Sequence, residues 1–314
     1  MSQLVDRLCG GIFLRYEGIN KIFNKKYTKT IFVLIGIVLV LLLCFSSGKK
    51  VQEKAAEKEA IMAQAKAEEE ARKRAEMYHF PPAEEENDLL KIATNAQGVD
   101  SKICYLTFDD GPTKEVTPKV LDVLAQYDVK ATFFVLGRML ESNPDIAKRA
   151  HDEGHLIANH SYYHQYDELY ASAESFIEEI EKNNSLICDI TGEEPFKLFR
   201  FPGGGHNAGK YGEAKQQYKE VLKEKGYYFA DWNCLNGDAE VVLRSPEGLL
   251  ARTKETAIGK NIIVLMHDAA IKTTTPDALG SIIEYLRSQG YVFKRLDQIE
   301  YYAKPEPEES SMVL

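Results

Sequence analysis

ICYLTFDDG, residues 103–111, is an apolar run that stops on two adjacent carboxylates and a glycine. On a strand, successive side chains point to opposite faces, so Asp109 and Asp110 are aimed apart and do not act as one carboxylate pair. Asp and Gly after an apolar run also read as a plain strand end in a polar turn. The segments downstream decide between these readings.

From residue 101 onward the pattern repeats. Apolar runs predict strands over 103–108, 131–136, 155–159, 198–200, 227–232, 262–266 and 291–293. Amphipathic stretches between them predict helices over 116–127, 146–153, 172–191, 212–225, 246–258 and 275–288. This alternation predicts a parallel α/β architecture over residues 101–302, either an open sheet or a barrel. In both, the chemistry gathers at the C-terminal ends of the strands, where the charged residues of this chain fall.

NHSYYH, residues 159–164, follows one such strand. His160 and His164 are spaced i, i+4, so a helical turn would put both imidazoles on one face, able to grip one metal ion. Surface histidines without a role are the plainer alternative. Two imidazole nitrogens and one carboxylate oxygen form the ligand set of catalytic zinc sites, which leave a position open for water. TFDDG offers that carboxylate and a neighbour aimed elsewhere, free to work as a base. FRFPGGG, residues 199–205, ends another strand with Arg200, which beside a carboxylate would hold it ionised and oriented. Its glycine backbone can point N–H groups at developing negative charge. LMHD, residues 265–268, brings His267, whose unperturbed pKa near ~6.5 suits a general acid.

TFDDG, HSYYH, RFPGG, DWNCLNGD and LMHD, in this order, resemble the successive motifs of the NodB-like polysaccharide deacetylases, carbohydrate esterase family four, of the peptidoglycan or chitooligosaccharide deacetylase type. The resemblance covers about residues 101–302. It implies a distorted, incomplete (β/α) barrel and metal-dependent removal of acetyl groups from an N-acetylated sugar polymer. It implies Asp109 as general base, Arg200 as the residue that orients it, and Asp110, His160 and His164 as metal ligands. His267 resembles the acid that protonates the leaving amine, Asp238 its orienting partner, and a backbone N–H at Gly203 the oxyanion donor. Zn2+ fits the mixed ligands best, with Co2+, Ni2+, Mn2+ or Fe2+ as alternatives. Two departures concern substrate. Ala239 stands where the family often has Trp, so the wall around the acetyl methyl is either wider or built by Trp232 and Leu265. Gly203 stands where an aromatic is common. Tyr162, Tyr163 and Tyr166 are candidates to stack on sugar, with half-buried packing as the plainer expectation, and His206 is a candidate for substrate contact.

Upstream, residues 31–45 are uninterrupted apolar sequence, and extension to residue 47 gives about the ~17 residues that just cross a bilayer. The basic residues before it predict a cytoplasmic N-terminus over 1–30, a transmembrane signal anchor over 31–47, and the remainder outside as a single-pass protein of the cell membrane. A cleaved signal peptide is the competing reading. Residues 48–78, rich in Ala, Glu and Lys, predict a charged helical stalk, with weak self-association as a secondary expectation. Residues 79–100, with Pro81 and Pro82, read as a linker, and the acidic 303–314 as a disordered tail.

A hydrophobic content of 44% over 314 residues suffices for a real core, and the net charge of −9 argues against a nucleic-acid partner. The five cysteines are scattered and make no CxxC site or disulfide framework. A tethered enzyme works on polymer near its own membrane, which favours peptidoglycan N-acetylglucosamine or N-acetylmuramic acid as substrate. An O-acetyl esterase of the xylan type, a chitooligosaccharide deacetylase and a catalytically silent glycan-binding domain are the alternatives.

Overall fold

The computed structural model describes residues 81–96 and 101–299, with the isolated helical positions Ala56, Lys58, Ile61 and Met62. The chain divides into two compact units, Met1–Arg74 and Ala75–Leu314. The expected cytoplasmic segment, the anchor, nearly all of the stalk and the acidic tail lie outside the described residues. Among the described residues no helix is long and apolar enough to cross a membrane.

In chain order the second unit runs α1 (Leu89–Asn95), β1 (Lys102–Asp109), α2 (Thr117–Gln126), β2 (Thr132–Val135), α3 (Gly137–Ser142), α4 (Pro144–Asp152), β3 (Leu156–Asn159), α5 (Tyr166–Leu169), α6 (Ala173–Thr191), β4 (Leu198–Phe199), α7 (Gly212–Glu224), β5 (Tyr228–Phe229), β6 (Cys234–Leu235), α8 (Pro246–Thr256), β7 (Asn261–His267), α9 (Thr275–Ser288) and β8 (Tyr291–Phe293). All eight strands join one parallel sheet, ordered β5-β4-β3-β2-β1-β7-β6, with β8 beside the first residues of β1. The sheet is strongly curled. Arg200, directly after β4, hydrogen-bonds Thr107 and Asp109 on β1 at 2.6 and 2.8 Å. In a flat sheet these strands would stand three spacings apart, about 14 Å, beyond the reach of an arginine. With β5 and β6 unpaired to each other, the result is the expected incomplete (β/α) barrel.

The two-residue period of a strand sorts β1 into two layers. Cys104, Leu106 and Phe108 face outward into a core shared with Leu121 and Leu124 of α2 and Ile282 and Ile283 of α9. Ile103 and Tyr105 face inward, with Phe134, Leu156, Leu198, Ala230 and Ile263. Each such fully buried large side chain stabilises by about 1.5–3 kcal/mol relative to exposure. Continuing the alternation, Thr107 and Asp109 are inner residues at the C-terminal mouth.

Residues 79–100 are not a linker over their described part. Asp88 caps α1, its Oδ1 accepting from the N–H groups of Leu90 and Lys91 at 3.0 and 3.2 Å. Leu89 and Ile92 then bury themselves in the inner core. The Phe229 N–H donates to the Asn87 carbonyl at 2.8 Å, and Asn261 Nδ2 donates to Ala93 O at 2.6 Å. The segment thus covers the free edge of β5 and reaches the first residue of β7, closing the open side of the barrel. The folded unit therefore begins upstream of residue 101.

Candidate active site

Asp109 closes β1 and is 3% exposed, and Arg200 beside it is 0% exposed. The guanidinium donates to Asp109 Oδ1 at 2.8 Å, Thr107 Oγ1 at 2.6 Å and the Ala230 carbonyl at 2.8 Å. Burial pushes the Asp109 carboxyl above its ordinary value, against the pull of the Arg200 cation. The next residue turns away. Asp110 has a left-handed φ of 77°, which frees its carboxylate from the strand's alternation.

The glycine of TFDDG also has a definite cause. A side chain at Gly111 would overlap the Asp268 carboxyl. Asp268 is buried, accepts from Thr117 Oγ1 at 2.6 Å, and its own N–H donates to the Asp109 carbonyl at 3.1 Å. Burial raises its pKa to about 7. Sequence reading missed this residue, although its place directly after His267 was a usable signal.

His160 and His164 come together, their ring centroids 5.2 Å apart, but not on a helical turn. Residues 160–165 form a loop in which Ser161 and His164 adopt left-handed φ values of 77° and 61°. Side chains hold it there. The Ser161 N–H donates to Asn159 Oδ1 at 2.9 Å and the His164 N–H to Ser161 Oγ at 3.1 Å. Glu179 Oε2 accepts from the N–H groups of Tyr162 and Tyr163 at 3.0 and 3.2 Å. These partners replace the hydrogen bonds a helix would have made, which is why the i, i+4 expectation fails locally.

His160 Nδ1–H donates to the Arg200 carbonyl at 2.8 Å, so Nε2 carries the lone pair. Burial drives the pKa of this imidazole down to about 3. Nε2 of His160 and Nε2 of His164 each lie 3.6 Å from Asp110 Oδ1, and the three atoms stand within 4.8 Å of one another. That oxygen is buried and has no hydrogen-bond partner among the described residues. Two imidazole nitrogens around an orphaned carboxylate oxygen fit a divalent transition ion, zinc included.

Opposite this triad stands His267, in register with Asp109 on the neighbouring strand. Asp238 Oδ1 lies 2.8 Å from its Nδ1, and Asp238 Oδ2 accepts the His267 backbone N–H at 2.8 Å and Thr275 Oγ1–H at 3.0 Å. Burial opposes the imidazolium, yet the hydrogen bond and charge of Asp238, with Asp109 and Asp110 behind them, outweigh it and carry His267 up to about 9. Burial also opposes ionisation of Asp238, but the bonds to His267 and Thr275 hold its carboxyl below the ordinary value.

A sequence model described as Polysaccharide deacetylase matches residues 96–227. The chain is 32% identical over 201 residues to the peptidoglycan-N-acetylmuramic acid deacetylase of Bacillus subtilis, covering 64% of this chain and 72% of that protein. The chain belongs to the polysaccharide deacetylase family. It is also 34% identical over 210 residues to the peptidoglycan-N-acetylglucosamine deacetylase of Listeria monocytogenes, where the match covers 67% of this chain but only 41% of the relative's length. The solved catalytic domain of a peptidoglycan N-acetylglucosamine deacetylase from Eubacterium rectale superposes with a TM-score of 0.59 at 33% identity, over 67% of this chain and 96% of that one.

The remaining expected residues of this polysaccharide deacetylase family member frame the same mouth. Gly203 has a φ of 73°, and its N–H has no partner among the described residues. The Gly204 N–H is engaged by the Phe201 carbonyl at 2.7 Å, and those of Gly205 and His206 by the Asp231 carboxylate at 2.7 and 2.6 Å. Trp232 packs against Gly204, its ring 5.8 Å from the Arg200 guanidinium. Leu265 alternates with Ile263 and His267 and so faces inward. His206 is drawn away from the mouth, its Nε2 bonded to Asp88 Oδ2 at 2.8 Å.

Proposed function

We propose that this polysaccharide deacetylase removes acetyl groups from the N-acetylglucosamine or N-acetylmuramic acid of peptidoglycan, with a divalent ion held by Asp110, His160 and His164. The observation that carries the reading is the meeting of Asp110 Oδ1 with two imidazole Nε2 atoms at 3.6 Å, set between a buried carboxylate–guanidinium pair and an imidazole–carboxylate pair. When bound, the ion supplies Lewis acidity to an acyl carbonyl and to water. Asp109, aimed by Arg200, accepts a proton from water as the water oxygen adds to the acetamide carbon. The Gly203 N–H donates to the acyl oxygen as it gains negative charge. His267 delivers its Nε2 proton to the sugar nitrogen as the C–N bond breaks, and acetate and a free amine leave. Asp238 holds Nδ1, so the transferable proton sits on Nε2. Trp232 and Leu265 are the walls nearest the acetyl methyl.

The named peptidoglycan deacetylases among the relatives support the polymer. So does the apolar run at residues 31–47: an anchor there, with the catalytic unit outside and residues 48–78 as stalk, confines the enzyme to wall polymer beside the membrane. Acetate release by the full-length chain from peptidoglycan, chitooligosaccharides and acetylated xylan tests this, with added Zn2+, with chelator, and with Asp109→Asn. Release from peptidoglycan that chelator abolishes and a divalent ion restores is expected. Release from acetylated xylan alone would make the chain an O-acetyl esterase. Glycan binding that survives chelation, without release from any polymer, would leave a binding module.

A further inference from the structure

Residue 203 has no side chain, and the space one would fill is already occupied. A Cβ built on Gly203 lies 2.7 Å from the Tyr166 hydroxyl and 3.2 and 3.3 Å from two carbons of its ring. Tyr166 arrives from another loop. It opens α5, two residues beyond His164, and its ring centroid stands 5.3 Å from that imidazole. The ring is held firmly. Tyr170 and Tyr211 meet it edge-on at 5.9 and 5.7 Å, and Lys215, anchored on the Gly204 carbonyl at 2.8 Å, sets its ammonium 5.9 Å from the ring centre.

A tyrosine built into the fold normally gives its hydroxyl a partner. This one is half-buried, and its hydroxyl makes no hydrogen bond among the described residues. A phenol, with an ordinary pKa near ~10, is a donor at neutral pH. The other tyrosines of the loop are placed differently. Tyr162 is buried, with Lys182 Nζ 3.4 Å above its ring, and Tyr163 turns outward beside the same lysine.

We propose that Tyr166 is a substrate-contacting residue: its ring is the aromatic wall on which the acetylated sugar packs, and its hydroxyl hydrogen-bonds that sugar, in place of a side chain at position 203. This rests on the glycan deacetylase reading of the site. A rigid ring with a free polar tip suits a pyranose, which offers an apolar C–H face and a polar rim. Gly203 itself stays exposed, with its N–H unengaged among the described residues.

The test is calorimetric titration of the full-length chain with N-acetylated chitotetraose, with and without chelator, beside acetate release and thermal midpoint. Tyr166→Phe keeps the packing and should weaken binding about 5-fold, the loss of one neutral hydrogen bond. Tyr166→Ala should weaken it by about tenfold or more, the aromatic contact being lost as well. Wild-type affinity in Tyr166→Phe overturns the proposal even where Tyr166→Ala fails to fold. So does wild-type affinity in a folded Tyr166→Ala. A wild-type chain that binds the tetrasaccharide but releases acetate neither from it nor from peptidoglycan sinks the deacetylase reading, while the variants still decide Tyr166 by affinity. A wild-type chain that neither binds the tetrasaccharide nor releases acetate from it or from peptidoglycan overturns both.

Discussion

Asp109 and His267 stand side by side in register on β1 and β7, each bonded to an oppositely charged partner at 2.8 Å. Burial opposes the charge on both, and the outcomes differ. Arg200 does not cancel the desolvation of Asp109, whose carboxyl stays above its ordinary value. Asp238 more than cancels the desolvation of His267, whose pKa rises to about 9. A low-dielectric mouth thus holds a carboxylate of raised basicity beside an imidazole that is protonated at neutral pH. Groups whose environments move them in this way are the arrangement acid–base catalysis needs.

The first pair is the one whose loss should cost most. Arg200→Met removes a guanidinium that bonds Asp109, Thr107 and the Ala230 carbonyl, and leaves Asp109 buried without its cation. Stability should fall by about 3–5 kcal/mol, the usual result of breaking a buried ion pair on one side, read as a lower urea midpoint. Adding Asp109→Asn to that variant should recover part of the loss, since the stranded charge is then gone. In the wild-type background, Asp109→Asn should lower acetate release by about 10²–10⁴-fold, the range of a general base. Its fold should stay intact by circular dichroism.

Breaking the second pair should change pH dependence more than stability. The imidazolium is the working acid, so activity is present below the pKa of His267 and lost as pH rises through about 9. Asp238→Asn removes the charge that raises this pKa, and the alkaline limb of the pH–rate profile should move to lower pH by about one to two units. Stability follows the same sign. A folded pKa above the ordinary ~6.5 stabilises fully below that value, and the contribution disappears as pH rises through about 9. Urea titrations across that window should show it, and show it reduced in Asp238→Asn.

The two pairs also mark how far the sequence could be read. Strands β1 and β7 are long enough to carry an apolar pattern, and their ends hold Asp109 and His267, so fold class and these two residues were legible, while Asp238 came from the family resemblance. The shorter strands β2, β3, β4 and β8 were also foreseen, but some short elements were not. The strand expected over 227–232 is only Tyr228–Phe229, and Cys234–Leu235 was missed, because two residues show no alternation. Helix α1 hid behind Pro81 and Pro82, its buried contribution resting on Leu89, Ile92 and Ala93. The conformation of the histidine loop was hidden for another reason. It depends on Glu179 and Asn183, which sit in the middle of α6 and look, one by one, like ordinary polar positions on a helix.

Asn183 gives the smallest of these effects and the sharpest check of that last point. It is fully buried, and its Nδ2 lies 2.9 Å from the Val135 carbonyl, 2.9 Å from the Ser161 carbonyl and 3.0 Å from Asn159 Oδ1. One amide therefore ties the end of β2 to the start of the loop that carries both histidines. Asn183→Leu, near in volume, takes one donor from each of these three acceptors, which keep the N–H groups of His160, Gly137 and Ser161, and should cost about 1–3 kcal/mol. If the amide merely stabilised α6, stability would be its whole effect. If it sets the loop, the two imidazoles lose their relation to Asp110, and Zn2+ affinity, measured by competition with a chromogenic chelator, should fall by about tenfold or more, as for other residues that orient metal ligands. A destabilised variant with unchanged Zn2+ affinity would show that the left-handed turns at Ser161 and His164 hold the triad without help from α6.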